Sequence, residues 1–407
     1  MKCGLLGEKL GHSYSPQIHA QLAPYTYTLF EKQPDELADF LLHSDFSGLN
    51  VTIPYKKRVI PYCTALTETA QKLGAVNTLV RRPDGSLLGH NSDYFGFLSM
   101  LQRSGLDVNG KKALVLGSGG ASATVDAVLK VSGAQTVIIS RSGSNNYSNL
   151  ERHRDAAVIV NATPVGMYPN VGISPVDLDM FPNLEGVLDL IYNPARTKLL
   201  MDAQAKGITA INGLWMLVAQ AKESAQYFTG KPISDRVITP IHEKMRRQME
   251  NIVLIGMPGC GKSTIGKLLA KKLARQFVDA DEKIAELAGM TIPEIFKTHG
   301  ENGFRELEKQ VLVQLGMQSG LIIATGGGCV TKDENYHALH QNGRIYWLHR
   351  RLEDLPTDGR PLSQTNTLSD LYAVRMPLYQ KFCDAVVDNN TAPEAAVQAI
   401  LSLEDTI

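Results

Sequence analysis

The sequence predicts an α/β fold built from parallel sheets. Short β-rich segments alternate with segments of helical periodicity along the chain, the pattern typical of parallel sheets covered by helices. These segments include ALVLG, TVIIS, AVIVNA, GVLDLIY, NIVLIG, LIIATGG and RIYWLH. Two of them run into glycine-rich loops, ALVLG into SGGAS and NIVLIG into MPGCGKS, and a helical segment follows each loop. Because such loops bind phosphate groups at a helix N-terminus, the sequence predicts two nucleotide-binding folds.

Length and composition indicate a globular protein of two or three domains. The 407 residues exceed the roughly 100 to 200 residues of one domain. A composition of 43% hydrophobic and 20% charged residues is typical of globular proteins with sizeable hydrophobic cores. The 41 basic and 41 acidic residues form no block of like charge, so we expect no nucleic-acid or membrane partner.

Cysteine spacing and hydropathy predict the compartment. The five cysteines are widely spaced and lack a C-x-x-C pair, which predicts free thiols. The apolar run near the N-terminus is too short for a signal peptide, and no stretch approaches the roughly 20 apolar residues of a membrane span. We therefore expect a cytoplasmic protein.

The first half contains a series of polar and glycine-rich motifs. In order they are KCGLLGEKLGHSYSPQIHA, GLNVTIPYK (48–56), GAVNTL (74–79), GHNSDYFG (89–96), LGSGGAS (116–122), NATPVGM (161–167) and GLWMLVAQA (213–221). Taken alone, Ser13 and Ser15 would predict only a helix N-cap, and Lys56 a surface lysine. In this order the motifs resemble shikimate dehydrogenase over about residues 1–245.

The resemblance implies an active site for a small hydroxylated ring acid. Lys56 and Asp93 would form the catalytic pair, because reduction of a ketone requires a hydride and a proton donor at the oxygen. The substrate-binding residues implied are Ser13, Ser15, Thr52, Asn77, Tyr192 and Gln220.

The glycine loop of the first half predicts a dinucleotide site in a Rossmann-like domain. The strand segment VIISRS lacks an acidic residue for a ribose 2′-OH, whereas Arg141 suits a 2′-phosphate, so we expect NADPH rather than NADH. The cofactor-binding residues predicted are Gly117, Ser118, Gly119, Gly120, Ala121, Ser140, Arg141, Ser142 and Gly213. The family's usual second arginine is replaced by the polar stretch RSGSNNYSN. Only 15 residues separate Arg141 from AVIVNA, so the adenine side of the cofactor pocket is expected to be short.

The second half contains the pattern G-x-x-x-x-G-K-[ST] as GMPGCGKS, between a strand and a helical segment. This context predicts nucleotide binding: Lys262 would reach the β/γ oxygens and the Ser263 hydroxyl would bind Mg²⁺. The ATP-binding residues predicted in this loop are Gly259, Cys260, Gly261, Lys262, Ser263 and Thr264.

Further motifs follow in the order VDAD (278–281), GFRELE (303–308), ATGGG (324–328), GRP (359–361) and VRMPLY (374–379). GMPGCGKS (256–263) is the pattern of a P-loop, and we use that name for it below. Together with the P-loop, these motifs resemble shikimate kinase, a protein with an NMP-kinase-like parallel sheet, over residues 250–407. The resemblance implies Asp279 beside the magnesium and Asp281 on the attacking hydroxyl. It also implies Arg305 and Arg375 on the substrate carboxylate, Gly327 with its backbone towards the substrate, and Arg360 in a lid over the ATP. Only 14 residues separate Arg360 from Arg375, which is short for such a lid.

The two resemblances predict a bifunctional enzyme, a monomer or homodimer, that reduces 3-dehydroshikimate with NADPH and phosphorylates shikimate with MgATP. We expect a substrate domain at 1–93 and 213–248, a Rossmann-like NADP domain at 94–212 and a kinase domain at 249–407. One alternative is a quinate-type dehydrogenase fused to a kinase of another small hydroxy acid. Another is a half that has become a sensor or scaffold; its expected mark would be loss of Lys56, Asp93, Lys262 or Asp281, all of which are present.

Overall fold

A computed structural model of the chain describes residues 1–11, 13–355 and 368–405. The chain divides into two units. The first consists of Met1–Met167, Ile173–Tyr192 and Leu199–Met245, and the second of Tyr168–Gly172, Asn193–Lys198 and Arg246–Ile407.

The N-terminal part of the first unit is a mixed sheet in the order β2-β1-β3-β5-β6-β4. Its strands are β1 (Lys2–Gly7), β2 (Thr26–Glu31), β3 (Gly48–Val51), β4 (Ala65–Leu66), β5 (Thr78–Arg81) and β6 (Leu87–His90). β1 is parallel to β2 and β3, whereas β5 is antiparallel to β3 and β6. Since residues 52–56 follow β3 and residues 74–77 precede β5, this antiparallel pairing brings both motifs to one end of the sheet.

The second sheet of the first unit is parallel, in the order β11-β10-β9-β7-β8. Its strands are β7 (Lys112–Leu116), β8 (Gln135–Ile139), β9 (Val158–Asn161), β10 (Gly186–Asp189) and β11 (Thr209–Ile211). The strand order reverses at β7, and ligands of open α/β sheets bind outside the carboxyl ends of the strands at such a reversal. The glycine loop after β7 lies at this position, which confirms the predicted Rossmann-like arrangement.

Helices connect and cover both sheets of the first unit. They are α1 (Ser15–His19), α2 (Leu37–His43), α3 (Glu68–Leu73), α4 (Asp93–Ser104), α5 (Gly120–Val131), α6 (Lys198–Ala205), α7 (Leu214–Thr229) and α8 (Ile238–Met249). Gly96 lets α4 approach α7 closely, since a Cβ there would lie 2.9 Å from the Met216 carbonyl oxygen and 3.0 Å from Gln220 Cβ. This contact sets the distance between two helices that each carry a predicted active-site residue, Asp93 and Gln220.

The second unit contains a parallel sheet in the order β13-β14-β12-β15-β16. Its strands are β12 (Asn251–Ile255), β13 (Phe277–Asp279), β14 (Ile322–Ala324), β15 (Gly343–His349) and β16 (Ala385–Asp388). Its helices are α9 (Lys262–Leu273), α10 (Ala280–Ala288), α11 (Ile292–Gly316), α12 (Asp333–His340), α13 (Leu368–Phe382) and α14 (Pro393–Asp405). All five residues of β12 are buried, so the strand before the P-loop is central in the core. α11 is broken at Gly300, whose φ of 68° is non-helical, and GFRELE lies after the break.

Two short segments from the middle of the chain belong to the second unit. In the segment Asn193–Lys198, the Arg196 backbone N–H donates to the Gln341 carbonyl at 2.7 Å, and its guanidinium lies 3.0 Å from Glu250 Oε1. The sequence-based division placed this segment in the NADP domain, and that division into three domains stays a prediction. In the chain, α8 comes between the two halves, and β12 begins two residues after it ends.

Candidate active sites

The first unit contains a polar cavity of about 230 Å³, which we call the first-unit cavity. Its lining includes all eight residues that the sequence predicted for catalysis and substrate binding there: Ser13, Ser15, Thr52, Lys56, Asn77, Asp93, Tyr192 and Gln220. They come from several separate motifs and from Tyr192, and the fold brings the whole set together.

A lysine and an aspartate are paired in this cavity. Lys56 Nζ donates to Asp93 Oδ2 at 2.7 Å, and the two side chains are 25% and 8% exposed. Asp93 is the first residue of α4, where the helix dipole stabilises a negative charge. The pair holds an ammonium group at the cavity, from which it can donate a proton to a bound carbonyl oxygen.

Hydroxyl and amide groups line much of the remaining cavity. Ser15 begins α1, and its backbone N–H donates to Ser13 Oγ at 3.2 Å. Asn77 Nδ2 donates to Gln220 Oε1 at 3.3 Å. Such groups can bond several hydroxyls of a small polar ring.

His19 and Asn50 also line the first-unit cavity, and the sequence analysis missed both. The His19 ring stacks on Tyr27 with centroids 4.0 Å apart, and its Nδ1 lies 2.6 Å from the Tyr25 hydroxyl. Burial lowers the pKa of His19 to about 3, so the imidazole is neutral at neutral pH. The available signal was position, since both residues lie within the motifs SPQIH and NVTIPYK.

The glycine loop after β7 leaves the N-terminus of α5 open. Gly119 is the N-cap residue, and a Cβ added to Gly119 or to Gly120 would meet no atom within 4 Å beyond the neighbouring residues. Gly117 has a φ of 108°, a conformation that favours glycine. An open helix N-terminus at this place suits the pyrophosphate of a dinucleotide.

The end of β8 lies beside this loop, because β8 pairs with β7 in parallel. Arg141 is exposed, two residues after Ile139 ends the strand. The polar stretch that follows folds back on itself: Ser140 N donates to the Asn145 carbonyl at 3.1 Å, and Asn149 Nδ2 donates to the Ser144 carbonyl at 2.8 Å. The stretch that the sequence predicted as a short adenine side is therefore a hydrogen-bonded turn, and its contact with a cofactor stays a prediction.

Gly213, predicted as a cofactor residue, is the N-cap of α7. A Cβ at this position would lie 2.0 Å from the Leu190 carbonyl oxygen. Glycine is thus required for packing against the residue after β10, and its contact with a cofactor stays a prediction.

The second unit contains a larger cavity of about 580 Å³, the second-unit cavity. Its lining includes ten of the predicted residues: Gly259, Gly261, Lys262, Ser263, Thr264, Asp279, Asp281, Arg305, Gly327 and Arg375. Cys260 is buried beneath the loop, and its carbonyl accepts a hydrogen bond from Asn389 Nδ2 at 2.6 Å. Arg360 lies outside the described residues.

The P-loop is held in shape by glycines and by its own lysine. Gly256, Gly259 and Gly261 have φ values of 143°, 81° and 98°. A residue with a side chain would be strained at these positive φ values, whereas glycine adopts them readily. Lys262 Nζ donates to the Gly256 and Met257 carbonyls at 2.8 and 3.0 Å. The loop therefore presents a cation and the N-terminus of α9 to one side of the cavity.

The two predicted metal-binding residues are neighbours. Ser263 Oγ donates to Asp279 Oδ2 at 2.7 Å, and both line the second-unit cavity. Within the described ranges, no group of three or more His, Cys, Asp or Glu side chains could hold a metal. A hydroxyl and one carboxylate fit Mg²⁺, which keeps several waters and takes further oxygens from a nucleotide's phosphates.

Arg305 lies between two glutamates of its own helix. Its Nη1 lies 2.8 Å from Glu308 Oε2 and its Nη2 lies 3.2 Å from Glu301 Oε1. Glu308 is fully buried, and burial raises its pKa despite the nearby Arg305. Glu308 was missed as a site residue, although a glutamate three positions after an arginine on one helix is a recognisable ion-pair spacing.

The glycines of ATGGG leave room for these charged groups. A Cβ at Gly328 would lie 2.2 Å from Arg305 Nη2, and one at Gly326 would lie 2.9 Å from Asp281 Oδ1. At Gly327 the nearest atom is Pro258 Cδ, at 2.7 Å. The close approach that Gly327 permits in the structure is thus to the P-loop, and its predicted contact with substrate stays a prediction.

Comparison with known proteins agrees with this geometry. Residues 5–79 match the model of the shikimate dehydrogenase substrate binding domain, and residues 258–404 match that of shikimate kinase. Shikimate dehydrogenase (NADP(+)) of Clostridium perfringens strain SM101 is 33% identical over 265 residues, covering 60% of this chain and 97% of the relative.

The chain belongs to the shikimate dehydrogenase family. A shikimate kinase domain follows its dehydrogenase part. The chain is thus an oxidoreductase joined to a transferase.

Solved structures resemble the dehydrogenase part. A chorismate mutase/shikimate 5-dehydrogenase fusion protein from Clostridium acetobutylicum is 36% identical with a TM-score of 0.57, covering 60% of this chain and 96% of that one. Shikimate 5-dehydrogenase from Thermus thermophilus, in complex with NADP(H) and shikimate, is 30% identical with a TM-score of 0.55, covering 60% and 99%. The first-unit cavity is therefore the site to test for dehydrogenase chemistry.

Among the helices of the described ranges, none has the length and apolar character needed to cross a bilayer.

Proposed function

We propose that this chain catalyses two consecutive reactions. The first is the NADPH-dependent reduction of 3-dehydroshikimate to shikimate, and the second is the ATP-dependent phosphorylation of shikimate to shikimate 3-phosphate. The observation that carries the proposal is that the predicted catalytic and substrate-binding residues of each half line one cavity, with Lys56 and Asp93 in the first and Lys262, Asp281 and Arg305 in the second.

In the reduction, bound NADPH supplies the hydride that the ketone carbon accepts. Lys56 donates a proton to the ketone oxygen, and Asp93 holds the ammonium in place at 2.7 Å. Arg141 at the end of β8 would bind the 2′-phosphate, and the open N-terminus of α5 would bind the pyrophosphate. The cavity's hydroxyl and amide groups orient the hydroxylated ring, so that hydride and proton reach the same carbonyl.

In the phosphorylation, Asp281 orients the attacking hydroxyl of shikimate and accepts its proton as the oxygen bonds to the γ-phosphorus of ATP and ADP leaves. Lys262 stabilises the charge on the transferred phosphoryl group, while Ser263 and Asp279 would hold a Mg²⁺, which would supply further positive charge to the nucleotide. Arg305 and Arg375, each 5% exposed, would bind the substrate carboxylate.

We also propose a cytoplasmic enzyme that acts on small molecules as a monomer or homodimer, without nucleic-acid or membrane partners. All five cysteines are free thiols, as a reducing compartment requires. The balanced charge of 41 basic and 41 acidic residues supports the lack of a polyanionic partner.

Two separate assays test the proposed reactions. NADPH oxidation with 3-dehydroshikimate is measured without ATP, and ADP formation with shikimate and MgATP is measured without NADPH. Quinate with NADP⁺ or NAD⁺ is the comparison substrate. The proposal would be contradicted if the protein turned over quinate but not 3-dehydroshikimate. It would also be contradicted if the protein turned over neither of these two compounds.

A further inference from the structure

A group of buried polar side chains lies directly beneath the first-unit cavity. It consists of Asn50, Asn77, Thr78, Ser92 and Ser224, which we call the Ser224 cluster. Thr78, Ser92 and Ser224 are fully buried and do not line the cavity, whereas Asn50 and Asn77 do. The cluster therefore connects the cavity to the interior of the fold.

Ser224 joins four elements in this cluster. Its Oγ accepts from Asn50 Nδ2 at 2.7 Å and lies 3.0 Å from Thr78 Oγ1 and 2.9 Å from Ser92 Oγ. These partners belong to β3, to β5 and to the N-cap of α4, and Ser224 itself lies on α7. Ser224 Oγ also donates to the Gln220 carbonyl at 2.9 Å, one turn earlier on α7. One hydroxyl thus links the backbone of Gln220 to the strands below it.

The cluster determines which way the Asn77 amide faces. Asn77 Oδ1 accepts from the Ser92 backbone N–H at 2.7 Å, and the hydroxyls of Ser92 and Thr78 lie 3.2 and 3.1 Å away. A backbone N–H can only donate, so the amide oxygen must face it. The Asn77 NH₂ group therefore faces the cavity, where it donates to Gln220 Oε1.

Ser224 supports this arrangement indirectly, because its hydroxyl contacts the hydroxyls of Thr78 and Ser92 and the Gln220 carbonyl. The hydroxyls of Thr78, Ser92 and Ser224 have one proton each. When the Ser224 proton goes to the Gln220 carbonyl, Ser224 Oγ accepts from Asn50 and can accept from Thr78, and the Ser92 proton is left for Asn77 Oδ1. Removing the Ser224 hydroxyl deprives Asn50 Nδ2 of its 2.7 Å acceptor and frees the Gln220 carbonyl.

We propose that Ser224 is a positioning residue of the dehydrogenase site, which holds Asn77 and Gln220 so that the Asn77 amide donates to the substrate. This inference rests on the proposed function of the first-unit cavity. A fixed amide donor there selects a ring oxygen that can accept a hydrogen bond. Ser224 thereby contributes to recognition of a hydroxylated ring acid without touching it.

The test compares Ser224→Ala with Thr229→Ala. Thr229 lies on the same helix, and its hydroxyl likewise donates to the carbonyl four residues earlier, at 2.8 Å, but it is not part of the cluster. NADPH oxidation is measured without ATP, so the kinase site does not contribute. We expect Ser224→Ala to raise KM for 3-dehydroshikimate about tenfold, as the loss of one hydrogen bond would, with KM for NADPH and kinase activity unchanged. Thr229→Ala should leave all three unchanged.

An unchanged KM for 3-dehydroshikimate in Ser224→Ala, or an equal rise in both KM values, would overturn the positioning role. If the alanine variant does not fold, Ser224→Cys, which keeps the shape with a weaker donor and acceptor, is measured in the same way. A rise of less than tenfold in KM for 3-dehydroshikimate, with KM for NADPH unchanged, supports the proposal. No rise in KM for 3-dehydroshikimate overturns it. A wild-type protein that fails to reduce 3-dehydroshikimate while the kinase is active would instead contradict the proposed function.

Discussion

Lys56 Nζ lies 2.7 Å from Asp93 Oδ2, although the two residues are 37 positions apart in the chain. The lysine follows β3 and the aspartate begins α4, so the fold of the first unit is required to form the pair. Since the Asp93 side chain is only 8% exposed, water competes weakly for the interaction.

Replacing the lysine should remove the proton donor while leaving the cofactor site intact. We expect Lys56→Ala to lower the kcat of NADPH oxidation by about 10² to 10⁴, with little change in KM for NADPH and full kinase activity. Lys57→Ala is the matched control, because Lys57 is the adjacent exposed lysine. A Lys56→Ala variant with more than half of the wild-type kcat would exclude Lys56 from the mechanism.

Cofactor choice should depend on Arg141. With no acidic residue from Ser140 to Asn149, this turn has no carboxylate to accept a hydrogen bond from a ribose 2′-OH, while the exposed Arg141 is available for a 2′-phosphate. We expect the wild type to prefer NADPH, and Arg141→Asp to narrow or reverse the ratio of kcat/KM values. Arg152→Ala removes another exposed charge as a control. Equal kcat/KM for NADPH and NADH in the wild type would show that the short turn does not recognise the phosphate.

The kinase acceptor site should distinguish Arg305 from Lys262. Arg305→Ala should raise KM for shikimate by roughly ten- to a hundredfold with ATP affinity nearly unchanged, because a charge-assisted hydrogen bond contributes about 1.5 to 3 kcal/mol. Lys262→Ala should mainly reduce kcat, since its charge stabilises the transferred phosphoryl group. Asp281→Asn should slow phosphoryl transfer more than it weakens nucleotide binding. Lys309→Ala, which removes a cation from the same helix, is the control for Arg305. Equal weakening of ATP and shikimate by Arg305→Ala would mean that this residue supports the fold.

Acid should destabilise the first unit through His19. Its pKa is about 3 in the folded state against 6.5 ordinarily, so between these values the unfolded chain binds a proton that the folded chain does not. The contribution of His19 to stability is therefore present above pH 6.5 and is lost as the pH falls towards 3. His19→Gln should reduce the slope of unfolding free energy against pH in this window, by up to about 1.4 kcal/mol per pH unit. Equal slopes in His19→Gln and wild type would contradict the assignment.

The sequence predicted which motifs form each site, but not how they are supported. The residues predicted for the first-unit cavity lie together because Lys56 follows β3, Asn77 precedes β5, and these two strands pair. The order of the motifs along the chain was enough to predict this set. Ser224 was missed because its importance depends on contacts between side chains that periodicity does not reveal. Glu308 was missed although its spacing from Arg305 indicates an ion pair, because spacing does not show that the pair lies at the cavity. Gly327 shows a further limit. The resemblance implied a close approach of its backbone to the substrate, which stays a prediction, and the structure shows in addition a close approach to Pro258.

The place of Asn193–Lys198 in the second unit was likewise beyond the sequence. The segment follows Tyr192 directly and was assigned to the NADP domain, but the ion pair of Arg196 with Glu250 joins residues 54 positions apart. Nothing in the local pattern around Arg196 identifies that partner.

A single reaction containing 3-dehydroshikimate, NADPH and MgATP tests the bifunctional assignment most directly. NADPH consumption and shikimate 3-phosphate are followed together in the wild type, Lys56→Ala and Lys262→Ala. We predict that the wild type forms shikimate 3-phosphate, that Lys262→Ala oxidises NADPH but stops at shikimate, and that Lys56→Ala forms product only when shikimate is added. A wild type that consumes NADPH without forming shikimate 3-phosphate, or that phosphorylates added shikimate but never reduces 3-dehydroshikimate, would contradict the account.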